Sequence, residues 1–191
     1  MKIAIIDCGS QKTSFIYDAV DEFMDAEVIP MVDLNREYLQ EFDGVIISGA
    51  PILLSEIDPT RYLIQFNWVR SWEKPLLGIC FGHQIIGMLH DAHISRIAED
   101  RDWQTIESYM DCPILDKLPS EMEMMEDHCE AISIPSAFHL IGSSDACINE
   151  IMMHRSKPIY GVQFHPEVSG NQGQILIGNF CNLVMNPNKE L

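Results

Sequence analysis

The sequence predicts an α/β fold with a mostly parallel central sheet covered by helices on both faces. Two observations carry this prediction. Short β-branched runs alternate with segments of helical spacing up to about residue 92, and 47% apolar against 21% charged residues permit an ordinary core without disulfides. A length of 191 residues suits a single domain, which we place at residues 1–191. Because such sheets hold their sites at the carboxyl ends of parallel strands, functional residues are expected at strand exits.

The predicted elements follow from hydrophobic spacing and from the turn residues between them. Short apolar runs bounded by glycine or proline predict strands at residues 2–7, 27–30, 44–48 and 75–80, the second and third of them buried. Apolar residues that recur three or four positions apart predict helices at residues 15–23, 62–72 and 83–89. Shorter strand-like runs then follow, with a last helix, at residues 93–97, 104–109, 141–144, 158–164 and 174–184.

Charge and cysteine content exclude several classes of protein. Acidic residues number 29 against 12 Lys+Arg, and the formal charge of -17 opposes a nucleic-acid backbone and an anionic membrane surface, so neither is expected as a partner. No apolar run approaches ~20 residues, and Asp7 interrupts the first one too early for a signal peptide, which predicts a cytoplasmic location. The six cysteines include no C-x-x-C pair, so reduced thiols are expected.

A cysteine stands between two glycines where a predicted strand passes into a predicted helix. The segment Gly78-Ile79-Cys80-Phe81-Gly82 matches the sharp turn G-x-S-x-G, with sulfur in place of the serine oxygen. Glycine permits the tight turn, and the amino end of the following helix favours a thiolate. Cys80 is therefore a candidate nucleophile. A buried structural cysteine between packing glycines is the alternative.

A histidine and a glutamate follow another predicted strand. His165-Pro166-Glu167 comes directly after residues 158–164, where a parallel sheet would bring it near Cys80. A thiolate nucleophile needs a base that moves protons and a partner that fixes the tautomer of that base. His165 is the candidate acid and base, and Glu167 is its candidate orienting partner. Taken alone, a histidine after a strand is more often a structural group.

Backbone amides are also needed where negative charge develops on a carbonyl oxygen. The turn Ser48-Gly49-Ala50-Pro51 ends a predicted strand and can offer one free amide. The amide of Phe81, directly after the candidate nucleophile, is the second natural donor. A plain strand-ending turn is the alternative interpretation of the first of these.

The motifs GICFGHQ, GVQFHPE and ISGAP together resemble the class I (triad) glutamine amidotransferase family, and the resemblance runs from KIAIIDCGSQ to the last predicted helix. Within the family, HISR, YGVQFHPEVS and ILIGNFCNLV are similar to the separate amidotransferase subunits of two-subunit GMP synthases. The resemblance implies a flavodoxin-like architecture and hydrolysis of L-glutamine to glutamate and ammonia through a cysteine γ-glutamyl thioester. It also implies purine biosynthesis, in which the partner that takes up the ammonia is a separate synthetase of the ATP-pyrophosphatase type.

The resemblance also assigns roles to particular residues. It makes Cys80 the nucleophile, His165 the acid and base, and Glu167 the orienting carboxylate. Two further residues would supply the oxyanion amides and three would contact the substrate: Ala50 and Phe81 for the amides, and Gly49, Gln84 and His128 for glutamine.

Three positions depart from the family pattern, and all three lie outside the candidate triad. The usual turn S-G-G-P has Ala50 in place of its second glycine, which reduces backbone freedom there. A loop that usually reads S-H-x-D is here Asp127-His128-Cys129-Glu130, and Gly170 replaces the histidine usual after V-S. In the family these loops bind glutamine or face the synthetase.

Cofactor and metal motifs do not stand out in the sequence. Without a P-loop or G-x-G-x-x-G, the chain is not expected to bind ATP by itself, and no cofactor is expected. His90 and His93 are three apart and His128 neighbours Cys129, but no third and fourth ligand follows at a known spacing, so no metal site is expected. Two rivals to the amidotransferase interpretation remain: a stand-alone γ-glutamyl hydrolase or peptidase of the same fold, and a non-catalytic regulatory module.

Overall fold

A computed structural model of the protein describes residues 1–186, which form a large sheet with helices on both of its faces. The strands are β1 (Lys2–Asp7), β2 (Asp25–Pro30), β3 (Gly44–Ile47), β4 (Leu76–Ile79), β5 (Ile94–Asp100), β6 (Trp103–Ser108), β7 (Glu121–Met125), β8 (His128–Ile132), β9 (Phe138–Ser143), β10 (Ile151–His154) and β11 (Ile159–Val162). The α-helices are α1 (Thr13–Asp21), α2 (Arg36–Leu39), α3 (Thr60–Gln65), α4 (Phe81–Leu89) and α5 (Gly170–Met185). Within this part of the chain, no helix is long and apolar enough to span a membrane.

The large sheet has the strand order β2-β1-β3-β4-β11-β10-β9-β6-β7. Neighbours run parallel from β2 to β11 and antiparallel from β11 to β7, while β5 and β8 form a separate antiparallel pair. The predicted α/β fold is confirmed, and its parallel part contains the strand exits where functional residues were expected. The antiparallel strands make the whole sheet mixed.

Two apolar layers cover the parallel strands, one on each face. Ile5 of β1 belongs to a cluster that includes Ile16 of α1 and Phe180 of α5. Ile6, which points to the opposite face, belongs to a second cluster with Ile85 of α4. Strands that are buried on both faces are expected to be apolar at successive positions, as β1 and β3 are. The continuous β-branched runs of the sequence therefore arise from helices on both sides of the sheet.

Strand β2 differs from its prediction in burial. The sequence predicts a buried strand at residues 27–30, but only Ile29 is buried, and Val28 is 38% exposed. The expectation of burial was wrong because β2 is the edge strand of the sheet and pairs with β1 alone. An apolar run of four residues does not reveal whether a strand has one neighbour or two.

The predicted helix at residues 62–72 is divided into two parts. Helix α3 ends at Gln65, and residues 67–71 form a 3₁₀ helix. Phe66, Val69 and Trp72 are all buried and three residues apart, a spacing that matches the three residues per turn of a 3₁₀ helix. The apolar face was therefore predicted correctly, but an i+3 spacing alone does not distinguish the two helix types. The last helix begins at Gly170, four residues earlier than predicted.

Strands β7, β8 and β10 were not predicted. In β7 the side chains alternate, with Met122 and Met124 buried and Glu121 and Glu123 exposed. That alternation is the ordinary pattern of a strand with one buried face. The run was overlooked because methionine and glutamate both favour helices when considered one residue at a time.

Helix α4 lies in direct contact with the sheet at its first turn. A Cβ atom added to Gly82 would lie 2.3 Å from the carbonyl oxygen of Ile47 in β3, closer than any real side chain approaches. The neighbouring atom is backbone in a buried strand, so it cannot move aside cheaply. Gly82 is therefore required by the packing of α4 on the sheet.

We expect Gly82→Ala to lower the free energy of unfolding by about 3 kcal/mol, at the upper end for an overpacked core, as measured by urea unfolding. The control is Gly170→Ala. Gly170 has φ +61 and no atom within 4 Å of an added Cβ, so only the backbone penalty of about 1 kcal/mol applies there. Equal losses in the two variants would contradict the contact argument.

Candidate active site

Cys80 lies at the junction of β4 and α4 in a strained backbone conformation. Its φ of 50° and ψ of -103° place a non-glycine residue in a sparsely populated region. The Cys80 amide donates to the carbonyl oxygen of Val162 at 2.9 Å, and its own carbonyl accepts from the Gln84 amide at 3.0 Å. Strain of this kind persists only where the surroundings hold it, and it concentrates at functional sites. The turn is the elbow that the sequence predicts.

Two glycines make this turn possible by lying against each other. A Cβ atom on Gly78 would lie 2.5 Å from the carbonyl carbon of Gly82. Any side chain at either position would therefore separate the end of β4 from the start of α4. The paired glycines were attributed to a turn too tight for Cβ atoms, and that explanation holds in the structure.

His165 follows β11, the strand that pairs in parallel with β4, so the two strand exits are adjacent. The Nδ1 atom of His165 lies 2.7 Å from Oε1 of Glu167, and both side chains are almost fully buried. The backbone around the ring is fixed as well, since the His165 amide donates to the Met125 carbonyl oxygen at 2.9 Å. Ser169 Oγ donates to the His165 carbonyl oxygen at 2.6 Å. The imidazole is thus held on one side by Glu167, which leaves Nε2 for Cys80.

The protonation of His165 is set by two opposing effects. Burial disfavours the charged ring and lowers its pKa, but the hydrogen bonds and negative charges of Cys80 and Glu167 outweigh burial and raise the pKa of His165 to about 10. The ring therefore keeps its proton through the neutral range. A protonated imidazole next to a cysteine is suited to deliver a proton to a leaving group.

The predicted oxyanion turn lies against both side chains. A Cβ atom on Gly49 would be 3.1 Å from Cε1 of His165 and 3.7 Å from Cβ of Cys80. Ala50 lines the cleft beside Cys80, and its φ is not left-handed. Alanine in place of the family's glycine is therefore accommodated without backbone strain. Phe81 is the first residue of α4, so its amide has no acceptor within the helix.

A cleft of about 340 Å³ opens above Cys80 and His165. Gln84 lines it and is held by its Nε2 atom, which donates to the Gln163 side chain at 3.2 Å and the Glu130 carbonyl oxygen at 3.4 Å. The structure therefore brings the candidate triad, the SGAP turn and Gln84 to one cleft. The remaining lining residues come from loops at the strand exits: Gly9, Ser10, Gln11, Lys12, Pro51, Ile52, Leu53, Arg101, Asp127, His128, Cys129 and Glu130.

His128, predicted to contact glutamine, lies in the cleft wall, but its ring nitrogens are directed at protein groups. Nδ1 lies 2.9 Å from the carbonyl oxygen of Glu130, and Nε2 lies 3.2 Å from Oε2 of Glu126. The Glu130 carboxylate in turn accepts from the amides of Leu54 and Ser55, at 3.0 and 2.8 Å. The loop at residues 126–130 thereby joins the cleft wall to the segment that follows the SGAP turn.

Three charged residues of the cleft were not predicted to line it. Asp127 forms ion pairs with Lys12 and with Arg101, whose Nε lies 3.3 Å from Oδ1. Lys12 follows the DCGSQ segment at the exit of β1, and its place after a strand end was the signal that could have found it. No local pattern distinguished Arg101. In a chain with so few cations, two of them at one cleft are a marked local charge.

The other cysteines lack the setting of Cys80. Burial raises the pKa values of the Cys8, Cys112 and Cys181 thiols to about 12. Burial, with the nearby charge of Glu150, also raises the pKa of Cys147. Cys129 is partly exposed and lines the same cleft, so it is the relevant competitor of Cys80 for a reagent that enters there.

Taken together, the fold and the site define an α/β protein with a cysteine, a histidine and a glutamate assembled at adjacent strand exits. The chain belongs to the glutamine amidotransferase class-I family, whose model matches residues 4–183. It is 36% identical over 186 residues to the glutamine-hydrolyzing subunit of GMP synthase from Methanococcus maripaludis (strain C7), with 94% of this chain and 95% of that protein covered. The corresponding protein from Methanosarcina barkeri (strain Fusaro) is 34% identical over 188 residues, with 96% of each chain covered.

Solved structures agree with this placement. A Thermoplasma acidophilum protein, described as a candidate for the same GMP synthase subunit, has a TM-score of 0.90 and 28% identity, with 98% of this chain and 95% of that chain covered. A glutamine amidotransferase from Thermotoga maritima has a TM-score of 0.75 at 17% identity, with 100% and 86% covered, and it shows a shared fold.

A diazo-ketone analogue of glutamine should label one cysteine per chain, Cys80, and the label can be located by peptide mass spectrometry. Glutamine hydrolysis should stop in proportion to labelling. Cys80→Ala should abolish both, whereas Cys129→Ser, the matched change at the other thiol of the cleft, should preserve both. Labelling that moves to another cysteine, or that Cys129→Ser removes, would sink the assignment of Cys80.

Proposed function

We propose that the chain hydrolyses L-glutamine to glutamate and ammonia with Cys80 as nucleophile, His165 as acid and base, and Glu167 as the orienting carboxylate. One observation carries the proposal: a strained cysteine at the start of a helix faces a histidine whose far nitrogen is bound by a buried glutamate. Family membership supplies the substrate class, and the geometry supplies the roles. The intact triad argues against a non-catalytic module.

The first half-reaction forms the thioester. The Cys80 sulfur attacks the side-chain carboxamide carbon of glutamine, and the carbonyl oxygen takes up negative charge. The amides of Phe81 and Ala50 lie where they could stabilise that oxygen. The carbon–nitrogen bond then breaks as His165 gives its proton to the departing nitrogen, so ammonia leaves and a γ-glutamyl thioester remains.

The second half-reaction releases glutamate. His165, now neutral, accepts a proton from a water molecule that attacks the thioester carbon. The carbon–sulfur bond breaks, the thiolate of Cys80 returns, and His165 again carries its proton. Glu167 stays ionised throughout and stabilises each imidazolium state without moving a proton itself.

The cleft suits a single amino acid better than a longer γ-glutamyl substrate. Its volume of about 340 Å³ is near the lower end for small-molecule sites. Lys12 and Arg101 offer positive charge for an α-carboxylate, and Asp127 offers negative charge for an α-ammonium group. Gly49 and Gln84 lie nearer to Cys80, where the carboxamide must be held. These features favour glutamine hydrolysis over the γ-glutamyl peptidase alternative.

We further assign the ammonia to a separate ATP-dependent synthetase, most simply the one that completes GMP synthase. The support is that relatives named as the glutamine-hydrolyzing part of GMP synthase match this chain over nearly their whole length. The formal charge of -17 favours a synthetase face that is rich in basic residues.

The two partners of Cys80 should differ in cost when they are removed. His165→Ala eliminates both proton transfers, so its glutaminase kcat should fall to within about tenfold of the Cys80→Ala background. Glu167→Gln keeps a hydrogen-bonding group of the same shape and should stay roughly tenfold or more above that background. Equal and complete loss in both variants, with both folded by circular dichroism, would contradict the separate roles.

The free chain should hydrolyse glutamine slowly, and a synthetase with its nucleotide substrates should accelerate it. One well-placed oxyanion donor is worth roughly 10²- to 10³-fold in rate, so a reorientation of the SGAP turn that aims the Ala50 amide is a sufficient switch. Association should be faster at low salt, because the surface is strongly acidic. Steady-state assays with and without the synthetase decide this: full activity in the free chain, unchanged by a partner, would favour the stand-alone hydrolase.

A further inference from the structure

Three buried side chains meet behind the wall of the cleft. The ligand atoms of Glu126, His128 and Glu150 all lie within 4.8 Å of one another. Their exposures are 1%, 6% and 0%. Glu126 and His128 flank the turn between β7 and β8, and Glu150 directly precedes β10. The cluster therefore joins two distant parts of the chain.

The polar atoms of this cluster lack partners. Within residues 1–186, neither carboxylate oxygen of Glu126 has a hydrogen-bond partner, nor does Oε2 of Glu150 or Nε2 of His128. The approach of His128 Nε2 to Glu126 at 3.2 Å is a contact between charges without hydrogen-bond geometry. Glu150 does receive one bond through its other oxygen, from Ser144 Oγ at 2.7 Å. Buried carboxylates without partners are costly, so positive charge is required here.

The orientation of His128 matches that of a metal ligand. Its Nδ1 lies 2.9 Å from the carbonyl oxygen of Glu130, an acceptor only, so Nδ1 carries the hydrogen. Nε2 then holds a free lone pair that faces the two carboxylates. Histidines that bind metals usually donate their second ring nitrogen in this way, which fixes the tautomer and the ring plane.

The two carboxylates also repel each other. Burial, followed by the charge of Glu126, raises the pKa of Glu150 well above the ordinary value for glutamate. Asp100, which pairs with His128 across β5 and β8, adds a further buried oxygen without a partner among the described residues. One divalent cation would neutralise two carboxylates and use the lone pair of His128 as well.

We propose that Glu126, His128 and Glu150 bind one divalent cation of the transition series, such as Mn²⁺ or Zn²⁺. Two carboxylates and one imidazole suit this class, whereas Mg²⁺ and Ca²⁺ prefer oxygen ligands alone. The cation fixes the turn between β7 and β8 to the segment before β10. His128 also lines the cleft, which gives the ion a route of entry.

The first test uses Mn²⁺ with the full chain after treatment with a chelator. Counting free Mn²⁺ by electron paramagnetic resonance should show uptake of one ion per chain, and the melting temperature should rise with Mn²⁺ concentration. Mg²⁺ at the same concentration should give a smaller rise. These readouts do not involve glutamine hydrolysis, so they are independent of the proposed activity.

Variants of the ligands locate the ion. Glu126→Gln and Glu150→Gln should each weaken Mn²⁺ binding by more than about tenfold, since losing even an outer partner of a ligand typically costs 10- to 100-fold. Both variants remove buried charge at constant shape, so their metal-free forms should remain folded. Glu121→Gln makes the same charge change on the exposed face of β7 and should bind like the wild type.

Zn²⁺ requires a second background because Cys80 and His165 together offer it sulfur and nitrogen. In Cys80→Ala, one Zn²⁺ per chain should still bind, and Glu150→Gln should remove it. The proposal is overturned if neither ion binds stoichiometrically at pH 8, which would mean that protons alone neutralise the carboxylates. It is also overturned if the glutamine variants bind as tightly as the Glu121→Gln control.

Discussion

The contact between the first turn of α4 and the ends of β3 and β4 is the constraint on which the rest of the site depends. Gly82 lies where any side chain would collide with Ile47, and Gly78 lies against Gly82 itself. This close approach forces the chain to turn within one residue, and Cys80 takes the strained φ as a result. The same turn leaves the amide of Phe81 free and places α4 with its positive end toward the sulfur. A looser turn would lose all of these features together.

Parallel pairing then supplies the partners of the cysteine. Because β11 lies next to β4 in register, Val162 stands opposite Ile79, and the residues that follow each strand emerge side by side. His165 needs no long side chain or mobile loop to reach Cys80. The hydrogen bond from its amide to Met125 adds a third strand, β7, to the support of the ring. A base held at both backbone and side chain loses little entropy when it acts, which is the advantage of a preorganised site.

Local motifs were readable from the sequence, whereas contacts between distant segments were not. The elbow at Cys80 and the His165–Glu167 pair each lie within five residues of chain, so their chemistry is visible in the letters and the parallel sheet brings them together. The cluster that joins His128 to Glu150 spans a hairpin and a separate strand, and no spacing rule anticipates it. Burial of β2 was misjudged for the same reason: the edge of a sheet is a property of the whole topology. Sequence patterns thus predict elements and turns, and the fold decides which of them meet.

The turn between β7 and β8 connects these levels of structure. Its first neighbour, Met125, holds the backbone of His165, while Asp127 pairs with cations in the cleft and Glu130 holds the amides that follow the SGAP turn. Its inward side chains, Glu126 and His128, are charged groups that few hydrogen bonds support. The triad is fixed by backbone packing, but this wall of the glutamine site is fixed by charge. Changes in ionic conditions should therefore act on substrate binding, and so on KM, before they act on the geometry of the chemical step.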